Sequence, residues 1–129
     1  MKRPRVVLVD DLPEIIEYCS ALLKADHDIV GTAQSGKGAI AVCEEVDPDV
    51  IVLDISMPSL SGIEAAKRLR SSGCRAAIVF LSGSCELLTA ALEAGGSAYV
   101  SKTRAGSDLR LAITEALAGR IFVSESPPP

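Results

Sequence analysis

Five residues of this chain stand where short apolar runs stop. Val6-Val7-Leu8-Val9 ends at Asp10 and Asp11, and Val50-Ile51-Val52-Leu53 ends at Asp54. Ala77-Ile78-Val79-Phe80-Leu81 ends at Ser82, and Ala98-Tyr99-Val100 leads through Ser101 into Lys102. Three carboxylates gathered at close range repel and shift one another's pKa values. A hard divalent cation relieves that repulsion, and a carboxylate-rich site with water in its shell suits Mg²⁺. A lone ammonium then supplies a point charge for an anion held beside the metal. Each residue also has a plainer reading. Asp10 and Asp11 could be a helix cap with a first-turn acid, worth about 1 kcal/mol. Asp54 could be a loop acid, Ser82 a cap or turn residue, and Lys102 a solvated charge. Capping alone does not place all five at the same end of four different strands.

The elements that must position them follow from the pattern of apolar residues. A run that is apolar at every position is buried on both faces, as central parallel strands are. Ile15, Tyr18, Cys19, Leu22 and Leu23 recur at helical spacing after Pro13, which suits a first helical turn. Ile29 to Ala33 reads as a second strand and Ala39 to Val46 as a second helix after Gly36 and Gly38. Ile63, Ala66 and Leu69 mark a third helix, whose apolar stripe is core, and Gly62 supplies a backbone conformation or close approach at its start. Leu87, Leu88, Ala91 and Leu92 mark a fourth helix; Leu109, Ala112, Ile113, Ala116 and Leu117 mark a fifth. Alternation of strand and helix predicts an α/β fold with a parallel sheet. In such sheets ligands bind at the carboxyl ends of the strands.

The 129 residues suffice for one domain with one core, and 48% of them are hydrophobic. Thirteen basic against seventeen acidic residues leave a net charge of −4, and there is no Trp. That balance argues against binding of nucleic acid by this chain. No stretch has the ~20 apolar residues that span a bilayer, and no signal-peptide pattern opens the chain, so a cytoplasmic location is expected. Cys19, Cys43, Cys74 and Cys85 form no C-x-x-C pair, and His27 is the only histidine to complete a zinc set. The cysteines read as buried or incidental thiols, and His27, within Lys24-Ala25-Asp26-His27-Asp28, reads as a solvated loop residue.

Asp10-Asp11, Asp54-Ile55-Ser56-Met57-Pro58, Gly62, Ser82-Gly83 and Tyr99 three residues before Lys102 fall in order at spacings that resemble a response-regulator receiver domain. The resemblance covers about residues 4–120. It implies a flavodoxin-like fold, a doubly wound (βα)5 domain with a five-stranded parallel sheet in the order 2-1-3-4-5. It further implies that Asp54 accepts a phosphoryl group from a sensor histidine kinase. Asp11 and Asp54 would hold Mg²⁺ directly, Asp10 largely through water, with the backbone carbonyl of Ser56 completing the set. Lys102 would neutralise phosphoryl charge and Ser82 would donate to a phosphoryl oxygen. Tyr99 would be the switch aromatic, turning inward as Ser82 moves toward the phosphate. The switching face would be roughly Glu86 to Ala118. Such a domain catalyses only its own phosphoryl transfer and the hydrolysis of its aspartyl phosphate.

Three positions depart from the commonest pattern. Thr103 follows Lys102 where the family often has Pro, Ser82 replaces the frequent Thr, and Gly83 stands where Ala is usual. Small residues at Ser56 and Ser84 leave the water approach to the phosphate open, so self-dephosphorylation is expected to be quick. The absent Pro and the segment Ala118-Gly119-Arg120-Ile121-Phe122-Val123-Ser124 resemble the NarL/FixJ (LuxR-type) transcription regulators. Residues 1–121 are then the receiver, and 122–129 a linker toward an output domain, of helix-turn-helix type, outside this chain. DNA would be bound only through that domain, and a homodimer is the expected assembly.

The competing readings are weaker. A haloacid-dehalogenase-like phosphatase needs a second acid two residues after its nucleophile, and that position is Ser56. A dinucleotide-binding unit needs glycines after its first strand, where this chain has Asp10-Asp11-Leu12. A stand-alone or phosphorylation-independent interaction module of the same fold would be expected to have lost an acid or the Lys, and all remain.

Overall fold

The computed structural model describes residues 3–124. In chain order the elements are β1 (Arg5–Val9), α1 (Pro13–Leu23), β2 (Asp28–Ala33), α2 (Gly36–Val46), β3 (Val50–Asp54) and α3 (Gly62–Ser71). They continue with β4 (Ala77–Ser82), α4 (Leu88–Glu93), β5 (Ala98–Ser101), a 3₁₀ turn (Lys102–Arg104), α5 (Ala105–Leu117) and β6 (Phe122–Val123). All strand pairs are parallel, and the sheet order is β2-β1-β3-β4-β5-β6. The five-stranded core in the order 2-1-3-4-5 is as expected. The sixth strand is an addition.

Alternation along the strands builds two cores. Val7 and Val9 of β1, Ile51 and Leu53 of β3, Ile78 and Phe80 of β4 and Tyr99 of β5 pack with Ala39 and Cys43 of α2, Ala65, Ala66 and Leu69 of α3 and Ala91 of α4. Their neighbours Val6, Leu8, Val50, Val52, Val79, Leu81, Ala98 and Val100 pack on the other face with Cys19 and Leu23 of α1 and Leu109, Ala112 and Ile113 of α5. This is why the strands read as continuous apolar runs: each residue is buried by one helical layer or the other. β3 is buried at every position, including Asp54.

The same alternation sets the direction of the polar residues at the carboxyl edge. Asp54 continues the Val50, Val52 series toward the α1/α5 layer, and Asp10 and Lys102 continue Leu8 and Val100. Ser82 continues the Ile78, Phe80 series toward the opposite layer, on the same side as Tyr99.

Several local expectations need revision. Residues 122–129 are not all linker: Phe122 and Val123 pair with Ala98 and Tyr99 of β5, and Ser124 is buried. Residues 125–129 lie outside the described residues. His27 is buried rather than solvated. Its Nδ1 lies 2.8 Å from Asp26 Oδ1 and 3.2 Å from the Leu23 carbonyl oxygen. Arg110 of α5 holds the other side of Asp26, and the Arg3 guanidinium donates to the carbonyls of Lys24, Ala25 and His27. A turn made of charged residues is thus braced by two arginines. In α1, Pro13 occupies the first turn and the capping residue is Leu12, with no side-chain cap. Asp10 and Asp11 therefore do not serve as the helix cap.

Gly62 explains the tight return from β3 into α3. A Cβ there would lie 2.1 Å from the Asp54 carbonyl oxygen, while the Gly62 N–H donates to the Ile55 carbonyl at 2.9 Å. At Gly83, in contrast, a Cβ would enter open space, with no atom within 4 Å. Chemical denaturation should therefore separate the two: Gly62→Ala costs about 2 kcal/mol or more through forced backbone displacement, and Gly83→Ala stays within about 1 kcal/mol of the parent.

Candidate functional site

The carboxyl edges of β1, β3 and β5 bring the predicted charged residues together. Asp10, Asp11 and Asp54 each offer a carboxylate oxygen within 4.8 Å of the others. Asp10 and Asp54 are each only 1% exposed, so their charges have little access to water. Lys102 Nζ stands 3.1 Å from Asp54 Oδ1 and 3.2 Å from Asp10 Oδ2. Asp10 Oδ1 accepts the Leu12 N–H at 3.0 Å, and Asp54 Oδ1 accepts the Ser56 N–H at 3.2 Å. Both loops are thereby drawn back over the acids. Asp10 Oδ2 thus faces the Lys102 ammonium, whereas Asp54 Oδ2 is buried with no hydrogen-bond partner among the described residues.

One ammonium does not balance three carboxylates. Burial first, and then the Asp10 charge, push the Asp54 carboxyl up to about 6, against the pull of Lys102 and of the Ser56 N–H. Burial also works against the Lys102 charge, but Asp54 and Asp10 outweigh it and hold the ammonium above its ordinary value. A buried, unpartnered Asp54 oxygen beside Asp10 and the partly exposed Asp11 is suited to a hard divalent cation, whose ligands are oxygens. Cys19 and Cys43 take no part in such chemistry. Burial, followed by the nearby Asp10 charge, pushes the Cys19 thiol up to about 11, and burial pushes Cys43 up to about 12. Protonated thiols of this kind are inert.

Ser82 and Tyr99 form a second arrangement. The Ser82 hydroxyl donates to the Ser84 carbonyl at 2.8 Å and accepts the Ser84 N–H at 3.2 Å. The Tyr99 hydroxyl donates to that same carbonyl at 2.5 Å. Tyr99 is buried, with 3% exposure, so its ring already lies inward. The residue at the end of β4 and the aromatic of β5 thus meet at one loop oxygen. Ser56 and Ser84 are both exposed.

Two residues of this edge escape sequence reasoning. Ser124 Oγ donates to Asp108 Oδ2 at 2.7 Å and accepts the Ser101 N–H at 3.2 Å. Asp108 in α5 also takes bonds from Arg104 Nε and Ser107 Oγ. Burial opposes its ionisation, but the Ser124 hydroxyl, Arg104 and Ser107 hold its carboxyl below the ordinary value. Nothing in the periodicity of Phe122-Val123-Ser124 signals this, because a two-residue strand has no measurable period.

A doubly wound sheet in this order, with clustered acids and one lysine at its carboxyl edge, defines a receiver domain. The family profile described as "Response regulator receiver domain" matches residues 6–114, and the chain belongs to that family. Among curated relatives, the nitrate/nitrite response regulator protein NarL of Escherichia coli K12 is 34% identical over 125 residues, covering 94% of this chain and 58% of NarL. The transcriptional regulatory protein DesR of Bacillus subtilis is 32% identical, covering 93% of this chain and 62% of DesR. This chain therefore spans less than two thirds of the length of these relatives. Among solved structures, a LuxR-family response regulator from Aurantimonas superposes with a TM-score of 0.88 at 31% identity, covering 94% of this chain and 89% of that one. The receiver domain of a putative NarL from Mycobacterium tuberculosis gives 0.88 at 27% identity, covering 93% and 100%. These relatives place the chain with the NarL/FixJ regulators.

The crowding of the acids has a measurable consequence. With a folded-state pKa of about 6 against an ordinary 3.8, Asp54 binds more proton in the folded than in the unfolded chain between these values. Its contribution to stability therefore falls as pH rises through that window. In urea unfolding without divalent cations, the parent should lose on the order of 1–3 kcal/mol more than Asp54→Asn between pH 4 and pH 7. Equal losses would show that Lys102 neutralises the cluster by itself.

Proposed function

We propose that this domain is a phosphorylation-activated signalling switch whose phosphoacceptor is Asp54. The observation that carries this reading is the buried, unpartnered Asp54 Oδ2 beside Asp10, Asp11 and Lys102. A carboxylate oxygen attacks the phosphorus of a sensor kinase's phosphohistidine; the new O–P bond forms as the N–P bond breaks, and the imidazole leaves. Lys102 Nζ accompanies the transferring oxygens as a fixed positive charge, and the Ser82 hydroxyl exchanges its bond to the Ser84 carbonyl for one to a phosphoryl oxygen. Asp11 and Asp54 would hold Mg²⁺ directly, Asp10 through water, with the Ser56 carbonyl as a further ligand. When bound, the cation supplies charge neutralisation at the phosphoryl oxygens. Departure of the Ser82 hydroxyl leaves the Tyr99 hydroxyl as the remaining donor to the Ser84 oxygen, which links the site to the face from Glu86 to Ala118.

In this reading the receiver extends past residue 121 through Ser124, which packs against β5 and α5. The output lies outside this chain and is a helix-turn-helix domain, with DNA bound through it alone and a homodimer as the assembly. Among the described residues no helix is long and apolar enough to cross a membrane, and a cytoplasmic place of action fits a kinase-supplied switch. Incubation with Mg²⁺ and acetyl phosphate should add one phosphoryl mass, absent in Asp54→Asn. Folded protein that takes up none would favour a phosphorylation-independent interaction module.

Exposure of Ser56 and Ser84 leaves hydrolytic water a path to the aspartyl phosphate. Replacing both with bulkier residues, Ser56→Asn with Ser84→Tyr, should lengthen the adduct's lifetime several-fold in a mass-spectrometric decay series; an unchanged lifetime would contradict this account of rapid turnover.

A further inference from the structure

Beyond the phosphoacceptor reading, and resting on it, we infer that Ser124 is a positioning residue of the phosphoryl site, which ties the chain leaving the domain to Lys102 and Tyr99. Three bonds carry the link. Ser124 N–H donates to the Tyr99 carbonyl at 2.9 Å. Ser124 Oγ accepts from the N–H of Ser101, the residue before Lys102, and donates to Asp108 in α5. The hydroxyl thus bridges the carboxyl end of β5 to α5, and it does so between the switch aromatic and the lysine of the site. A small hydroxyl at this position accepts from one partner and donates to the other through a single oxygen.

The surroundings point the same way. Ser124 is 9% and Asp108 7% exposed, so the bond between them is shielded from competition by water. Asp108 is fixed by Arg104 and Ser107 as well, which makes it a firm anchor. A cavity of about 420 Å³ lies alongside, with Ser84, Leu88, Tyr99, Val123 and Ser124 in its lining. Displacing the terminal strand changes the space open to the Tyr99 ring. Because Lys102 begins a 3₁₀ turn immediately after β5, its reach toward Asp54 depends on how the Ser101 backbone is held. Coupling of this kind is reciprocal: a change at the acids must alter the hold on Ser124 by the same free energy.

The test compares the rate of acetyl phosphate modification in the full 129-residue chain, with Mg²⁺ present and at a temperature where every variant is folded. Ser124→Ala should slow modification about three- to tenfold, as loss of one buried hydrogen bond and a small misplacement of the lysine would. Asp108→Asn, which keeps the shape of the anchor, should slow it in the same direction. Ser124→Thr, which restores the hydroxyl, should recover the parent rate, and Ile121→Ala, at an exposed site, should leave it unchanged. In the parent, beryllofluoride with Mg²⁺ should alter hydrogen exchange at the Ser101 and Ser124 amides together. Parent-like rates in Ser124→Ala, or equal slowing in Ser124→Thr, would overturn the role of the hydroxyl. A parent that is not modified at all would instead overturn the phosphoacceptor reading.

Discussion

Burial of two carboxylates side by side, with one ammonium between them, is the constraint on which the rest of this domain depends. Asp10 and Asp54 lie within the apolar sheet edge at 1% exposure, and Lys102 reaches both. Removing charges from water is costly, and a buried pair is favourable only when geometry and further hydrogen bonds compensate. Here the compensation is incomplete, since Asp54 Oδ2 has no partner among the described residues. The arrangement must be held by stability gained elsewhere in the fold, and the Asp54 carboxyl responds by moving up to about 6. Under the proposed function, a cation arriving at the acids would relieve this crowding.

The scaffold meets that cost with two nearly complete apolar layers. Central strands packed on both faces hold their ends to fixed positions, so the acids cannot relax away from one another. Alternation divides the labour: residues in the Leu8, Val52 and Val100 series carry the charges toward α1 and α5, and those in the Phe80 and Tyr99 series carry the hydroxyls toward α3 and α4. The acids and the hydroxyls thus project toward opposite layers, and within the second layer Ser82 and Tyr99 meet at the Ser84 carbonyl, to which both donate.

Much of this is legible in the sequence for a simple reason. Parallel strands end at one edge, so polar residues that terminate successive apolar runs must be neighbours, and Asp10, Asp54 and Lys102 are. The third helix can be placed from Ile63, Ala66 and Leu69, and Gly62 from its place at the helix start. What escapes depends on contacts without a period. Phe122-Val123 becomes a strand because β5 offers an unpaired edge, and Ser124 becomes buried because Asp108, sixteen residues earlier, offers an acceptor. His27 is buried, and the turn that carries it is braced by Arg3 and Arg110, residues far from it in the chain. Leu87 matches the helical spacing of the fourth helix but caps it, at 42% exposure. The shared Ser84 oxygen arises from the loop's path, which residue types alone do not encode.

The central claim is that the crowded carboxylates form a cation-dependent site rather than a satisfied ionic core. The most direct measurement is the thermal midpoint as a function of Mg²⁺ concentration, for the parent and for Asp11→Asn and Asp54→Asn. A site of this kind predicts that the parent's midpoint rises with Mg²⁺ in a saturable way, as binding to the folded state alone requires, and that both variants lose most of the rise. A parent whose midpoint is indifferent to Mg²⁺, or variants that respond as the parent does, would contradict the account.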